Sequence, residues 1–384
     1  MLLSSGPAAP SPPTTLAHAA GRAPALDPEP PPLPVPADGC VGPSPAVFAS
    51  VPWPLARLAP QRVWPLTKGA GQLVAIVDSG VSRGAPTLAG AVRAGTDVVS
   101  GGPADSDCAG RGTALAGIVA GRPATGTGVV GIAPAASVLP IRIIDQSGRI
   151  PPDALALGIQ AAAAAGADVI LVATGTTNDS AELRAAVGAA VAGDAVLVAA
   201  VNTNPPAPGE RAEVWYPAAY EAVLAVGGVD ADGVPTQVSP PAAGLDLLAP
   251  AVGAVAPGPV GTGHYVVGGA GVAAAYVAGA AALVQTYHPE LRAAQIRQRL
   301  QLTAEFGAGG GSVATVDPYA AVVAIDPYRA TASIAPRVES VVLPAPPPVD
   351  PALGRAGRVA AVTATAALVF LAFAATLRRR RHRG

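Results

Sequence analysis

Lysine is almost missing from this 384-residue chain: Lys68 stands alone among 24 basic side chains. That bias fits a GC-rich genome and carries no functional message. Aromatic residues make up only 4% and charged residues 13%. A core this poor in aromatics must be assembled from small side chains on closely approaching backbones, and the 51% hydrophobic content is mostly Ala and Val. Cysteine and histidine are equally scarce. With two Cys, 68 residues apart, and four His, the paired spacing of a zinc site is absent, so neither a metal nor a cofactor is expected. Cys40 and Cys108 read as two buried free thiols or, in an exported chain, as a disulfide that an oxidising compartment lets persist. Positive charge is short as well. Seven Arg and no acid lie beyond residue 354, so residues 1–354 carry 17 basic and 25 acidic side chains, a net of −8. That balance excludes a nucleic-acid partner.

Glycine (45) and proline (43) are what the chain has in excess. Residues 1–48 form a Pro-rich extension, with SGPAAPSPPTT and then EPPPLPVP at 29–36, expected to be extended and partly polyproline. Its start, MLLSSGPAAPS, has neither the basic region nor the apolar run of a secretory signal. At the other end, residues 359–377 (VAAVTATAALVFLAFAATL) give 19 residues without a charge. As a helix they reach about 28 Å, enough for a transmembrane helix. The tail at 378–384 contains RRRRHR, so the positive-inside rule puts it in the cytoplasm and the body outside the cell membrane, which requires export of the body. A Pro-rich stalk at 326–358 separates body from span.

Residues 49–325 alternate strand and helix. QLVAIVD (72–78) is an apolar run ending in an acid; RGTALAGIVAG (111–121) is a small-residue helix, SVLPIRII (137–144) a strand, and 151–166 a helix with Pro and Asp in its first turn. Strands at 167–175, 194–202 and 222–230 and a helix at 179–193 complete the pattern. Buried strands alternating with helices predict an α/β fold with a doubly wound, mostly parallel sheet and helices on both faces. Sites in such sheets lie at the carboxyl ends of strands, where Asp78 and Asn202 both stand. The run Gly126-Thr127-Gly128-Val129-Val130-Gly131 fits a dinucleotide fingerprint, but it follows a helix and leads into a strand, so it reads as a flexible loop. GTGHYVVGGAGVAAAYVAGAAALVQTYHP (261–289) contains a helix from about Gly271 to Tyr287, stopped by Pro289. Ala and Gly face in all directions on it, so it is expected to be buried in the middle of the domain.

These segments, taken together, resemble the subtilisin-like serine proteases, and most of all the mycosins, the membrane-anchored branch associated with type VII (ESX) secretion. WPLTKGAGQLVAIVDSGV (64–81) resembles the segment of the catalytic Asp, which places Asp78 at that position. DCAGRGTALAGIVAG (107–121) resembles the catalytic His segment, and Arg111 takes the His place. VAAVN (198–202) resembles the oxyanion segment, giving Asn202. Gly269, Ala270 and Gly271 stand where the family has Gly-Thr-Ser, so Gly271 takes the place of the nucleophile. The strand usually reading Ile-Asn-x-Ser is Ile170-Leu171-Val172-Ala173. The arm, stalk, span and Arg tail are mycosin-like too, and the resemblance implies a Cys40–Cys108 disulfide.

A triad needs a hydroxyl to attack, an imidazole to take its proton and a carboxylate to orient the imidazole. Gly271 offers no side chain, and Arg111 stays protonated and cannot serve as a base. Asp78 is retained, and with Arg111 beside it a charge-assisted, bidentate pair is expected in place of the Asp–His bond. His264 reads as loop structure, Ser79 as a loop cap; Ser180 and Thr174 have no free His to activate them. The resemblance therefore implies a membrane-anchored pseudoprotease serving a type VII secretion membrane complex, with self-association or pairing with an active sibling as further partner options. The alternatives are an endopeptidase with a rebuilt site and a peptide-binding module that holds chains without cutting them.

Overall fold

Each long strand of the sheet alternates its side chains between two faces, and both faces are largely buried. The computed structural model describes residues 29–36, 39–145, 147–201, 214–236, 244–306 and 313–325. All belong to the first of two compact units, residues 1–332. The expected stalk, membrane span and basic tail, and Asn202, lie outside the described residues.

Strands β1 (Leu73–Asp78), β2 (Thr96–Asp97), β3 (Ser137–Arg142), β4 (Val169–Val172), β5 (Val196–Ala200), β6 (Leu224–Val229), β7 (Pro235–Thr236) and β8 (Leu247–Pro250) build one sheet. Its order is β2-β3-β1-β4-β5-β6, with β7 and β8 both paired to β6. All its pairings are parallel except β6 with β7. A separate antiparallel hairpin joins β9 (Ala254–Pro257) and β10 (His264–Val267). The helices are α1 (Trp53–Leu58), α2 (Arg111–Ala120), α3 (Ala154–Ala164), α4 (Ala181–Ala192), α5 (Ala270–Tyr287), α6 (Ala293–Leu302) and α7 (Pro318–Val323).

The alternation along β1 and β4 assigns the two cores. Ala75, Val77, Ile170 and Val172 pack with Leu155 and Ile159 of α3 and Leu183 and Val187 of α4. Val74, Ile76, Val169 and Leu171 pack on the other face with α2 and α5. The expected doubly wound architecture is thus present, with one adjustment at α3. Pro151, Pro152 and Asp153 precede that helix rather than forming its first turn, and Asp153 sits at the N-cap without capping through its side chain.

Helix α5 is buried almost throughout from Ala270 to Val284, which its lack of any charged face requires. Among the described residues it is the one helix long and apolar enough to cross a membrane, and burial in the core accounts for that composition. Its neighbours come close. A Cβ on Gly279 would lie 2.7 Å from Cβ of Ile132, and one on Gly117 of α2 would lie 2.3 Å from Cδ of Pro257.

The described part of the arm lies along the domain. Leu33 N–H donates to the carbonyl of Val266 (3.0 Å), Val266 N–H to that of Pro31 (2.9 Å), and His264 N–H to that of Ala46 (2.7 Å). A disulfide joins Cys40 to Cys108. Both residues are exposed, so the reading as buried free thiols is set aside. The glycine-rich run at 126–131 is clamped under the arm rather than free, correcting the expected flexible loop. Thr127 Oγ1 donates to the carbonyl of Phe48 (2.7 Å), and a Cβ on Gly128 would meet the Ser50 carbonyl at 2.3 Å.

Two glycine substitutions test the close packing. Gly279→Val overpacks α5 against Ile132 and should lower unfolding stability by about 1–3 kcal/mol. Gly188→Ala on the open face of α4 meets nothing and should raise it by about 0.5–1 kcal/mol. Urea unfolding midpoints of the two variants read the contrast directly.

Candidate active site

The carboxyl end of β1 carries Asp78 into the interior, where its side chain has no exposure. A turn follows. Gly80, at φ +95°, occupies a spot where a Cβ would lie 2.4 Å from the Ser106 carbonyl. Helix α2 then seats its first turn on that loop, and a Cβ on Gly112 would overlap the Gly80 carbonyl at 2.0 Å. Only glycine at both positions brings the first residue of α2, Arg111, over Asp78.

Arg111 grips the carboxylate through two nitrogens. Its Nε donates to Oδ1 (2.9 Å) and Oδ2 (3.1 Å), and Nη2 donates to Oδ2 (2.8 Å). Nη2 also donates to Thr174 Oγ1 (2.8 Å), just past β4, while Ser79 N–H supplies Oδ1 with a further bond (2.8 Å). This is the bidentate pair expected from the sequence. The negative charge of Asp78 raises the Arg111 pKa above its already high ordinary value, against the opposing effect of burial. The guanidinium is therefore a fixed cation that cannot accept a proton. Its side chain keeps 46% of its exposure, so water reaches one side of the pair.

A second buried carboxylate supports the first. Asp107 Oδ1 accepts from Ser79 Oγ (2.9 Å) and Gly110 N–H (2.9 Å), and Oδ2 accepts from Thr113 N–H (2.8 Å) and Thr113 Oγ1 (2.7 Å). Burial pushes its pKa up, hydrogen bonds from Thr113 and Ser79 pull it down, and the nearby Asp78 adds to the rise. Asp107 ties the start of α2 to the β1 loop. Sequence reasoning passed it over, because Asp107 stands three residues before the N-cap Gly110 and so lacks the N-cap position at which an acid signals a helix start. Thr174 as the second partner of Arg111 had no such signal either.

Gly271 is the second residue of α5, behind Gly269 at φ +101°. A Cβ at 271 would lie 3.0 Å from the carbonyl oxygen of Ala173 and 3.2 Å from its Cβ. Helix α5 has thus settled against the end of β4. Asp78, Arg111, Thr174, Ala173 and Gly271 form one chain of neighbours, and Asn202 is outside the described residues. The serines singled out in the sequence are occupied. Ser79 Oγ also accepts from Gly112 N–H (2.9 Å), tying α2 to the β1 loop, and Ser180 caps α4 by accepting from Leu183 N–H (3.1 Å). His264 is not in a loop. It opens β10, buried, because the hairpin turns before it rather than at it.

No cluster of three His, Cys, Asp or Glu side chains among the described residues is placed to hold a metal ion. A small apolar notch of about 50 Å³, lined by Val196, Leu197, Ala293 and Arg297, lies at the amino end of β5, at the opposite end of the strands from Asp78.

Comparison with known proteins agrees with this fold. The family model described as "Subtilase family" matches residues 69–324. Subtilisin DY of Bacillus licheniformis is 38% identical over 210 residues, covering 55% of this chain and 76% of the relative. Subtilisin BL of Lederbergia lenta is 35% identical over 213 residues, covering 56% and 77%. Among solved structures, MycP1 from Mycobacterium smegmatis superposes with a TM-score of 0.65 at 30% identity, covering 76% of this chain and 90% of that one. The MycP3 protease from the type VII (ESX-3) secretion system gives a TM-score of 0.67 at 30% identity, covering 77% and 97%.

Truncating Arg111 measures what the pair contributes. Breaking a fully buried pair costs about 3–5 kcal/mol, and the half-exposed guanidinium lowers the expected loss for Arg111→Ala to about 1–3 kcal/mol. Arg111→Lys keeps the charge but not the fork, so it should fall between the two in urea unfolding. An Arg111→Ala midpoint equal to that of the parent would show that the pair contributes nothing.

Proposed function

The chain belongs to the subtilase family, with a fold related to the type VII secretion mycosins, and we propose that it is a non-hydrolytic, membrane-held component of such a secretion assembly. The observation that carries this reading is the fork of Arg111 on Asp78. An imidazole in that place would draw a proton from the nucleophile and hand it to the leaving amine. A guanidinium already carries its full complement of protons, and both of the nitrogens nearest the site are engaged with Asp78. Gly271 adds the second loss, since it presents no oxygen to attack a carbonyl. In active subtilisin, losing either nucleophile or base alone costs about a million-fold in kcat. Here both are replaced.

A rebuilt endopeptidase would need another activated hydroxyl. Ser79 and Ser180 are committed to structural bonds, and Thr174 accepts from Arg111. Buried His264, which accepts from Phe48 N–H, and half-buried His288, which meets the Val322 carbonyl through Nε2 (2.8 Å), are committed as well. With the acid kept but turned to a structural ion pair, the fold serves as a body to be held and contacted. The solved MycP1 and MycP3 relatives are named for the ESX-1 and ESX-3 type VII systems. By that kinship, this chain takes its partners from a secretion complex in the membrane. The apolar run at 359–377 followed by RRRRHR supports a single-pass anchor with the body outside the cytoplasm.

A fluorophosphonate serine-hydrolase probe tests the reading. The chain as it stands should remain unlabelled beside an active mycosin, and Gly271→Ser alone should remain unlabelled as well, because Arg111 cannot take the proton and Ala173 crowds the new side chain. The Arg111→His, Gly271→Ser double variant is the informative control for recovery. Labelling of the parent chain at any defined serine would reverse the conclusion and put an enzyme in its place.

A further inference from the structure

We propose that His264 is a pH-operated pin: neutral, it holds the arm at residues 44–50 against the β9–β10 hairpin, and on taking up a second proton it lets that segment go. The inference is independent of whether the chain hydrolyses peptides.

His264 is 1% exposed, and its ring meets the arm directly at the Phe48 N–H and, through Thr127, at the Phe48 carbonyl. Nδ1 accepts the N–H of Phe48 at 3.1 Å. Nδ1 is therefore bare, and the ring proton is on Nε2, which faces Thr127 Oγ1 at 3.5 Å. Thr127 Oγ1 in turn donates to the carbonyl of Phe48 (2.7 Å) and accepts from Val129 N–H (3.0 Å). The backbone N–H of His264 donates to Ala46 (2.7 Å), so ring and main chain hold the same stretch. Only the neutral ring can do this. An imidazolium has two donors and no acceptor, and its Nδ1–H would point straight at the Phe48 N–H.

Nothing charged is at hand to offset that conflict. The arm at 44–48, β9 at 254–257, the turn at 258–263 and the loop at 126–131 contain no acidic or basic side chain, and the one charged residue of α2, which packs on β9, is Arg111, held on Asp78. The one titratable neighbour on β10 is Tyr265, whose hydroxyl donates to the Gly42 carbonyl (2.9 Å). Burial alone moves the His264 pKa, and it moves it down from 6.5. A histidine whose folded pKa is depressed stabilises the closed form fully above its free value. That stabilisation is lost as pH falls below about 6.5 and through the folded pKa.

The rest of the arm sets how far the release extends. Upstream, the Cys40–Cys108 disulfide and the bond from Val41 N–H to Cys108 (2.9 Å) do not titrate in this range. Downstream, Trp53 Nε1 donates to the Val252 carbonyl (2.8 Å) at the start of α1. The moving piece is a loop tied at both ends, which can reclose. Beneath it runs a glycine trough: a Cβ on Gly263 would lie 2.0 Å from the Ser44 carbonyl, and one on Gly261 would lie 2.9 Å from Cβ of Pro43. Lifting the arm uncovers that trough on the hairpin that leads into α5.

Amide hydrogen exchange on the oxidised full chain, corrected for intrinsic rates, tests the pin at about pH 7.5 and about pH 5. Protection at Phe48 should fall at least about tenfold between the two, while the amides of β4 hold theirs. The His264→Gln variant, whose amide oxygen accepts without titrating, should keep Phe48 protected at both. Equal protection of Phe48 in the parent at the two pH values would overturn the proposal, as would parallel loss in β4 or an unchanged pH dependence in the variant. Imidazole ¹⁵N shifts of the parent give a reading that needs no variant. His264 should stay in the Nε2–H form at the higher pH and titrate with the same midpoint as the loss of Phe48 protection, and a separate midpoint would overturn the idea.

Discussion

Close approach of backbones through small residues is the constraint on which the rest of this structure depends. With aromatics at 4%, little bulk is available to fill gaps, so helices and strands must meet nearly main chain to main chain. Gly117 against Pro257, Gly279 against Ile132 and Gly112 against the Gly80 carbonyl leave no space for a Cβ. Dispersion and burial over many such contacts replace the few large side chains that would otherwise hold a core of this size. Helix α5 can be apolar on every side because every side meets protein.

The same tight seating fixes the site. Because α2 sits on the β1 loop at Gly80 and Gly112, residue 111 is delivered to Asp78 whatever its side chain. An imidazole there would make a general base held by a carboxylate. A guanidinium makes a salt bridge, stronger as a clamp and inert as a base. Asp107 and its four hydrogen bonds keep the start of α2 in place independently of that exchange. On the reading proposed above, the placement of residue 111 over Asp78 is kept while the groups at positions 111 and 271 no longer supply a base and a nucleophile.

The N-terminal arm brings a different kind of contact. Its bonds to β10 are mostly backbone to backbone with one imidazole, and a disulfide ties it to Cys108 ahead of α2. Only the disulfide and the imidazole respond to conditions, the first to redox potential and the second to pH. The β9–β10 hairpin that receives the arm runs directly into Gly269 and α5, so arm and site share one structural element.

The sequence by itself determined the alternation of buried strands and small-residue helices, hence the doubly wound sheet, because a period of two and a run of Ala and Gly are local patterns. It also determined that Gly271 has no nucleophile and Arg111 no basic nitrogen, since those are facts of covalent structure that no fold can alter. Segment resemblance supplied which positions to ask about. What only the tertiary structure decided are contacts between residues far apart in the chain. The fork of Arg111 spans 33 residues to Asp78 and 63 to Thr174, and Gly271 is closed by Ala173 across almost a hundred positions. Asp107 as a buried clamp, the clamped rather than loose glycine run at 126–131 and His264 on a strand beneath the arm belong to the same class. Local periodicity says which way a side chain faces along its own element, but not which partner the packing of other elements will bring to it.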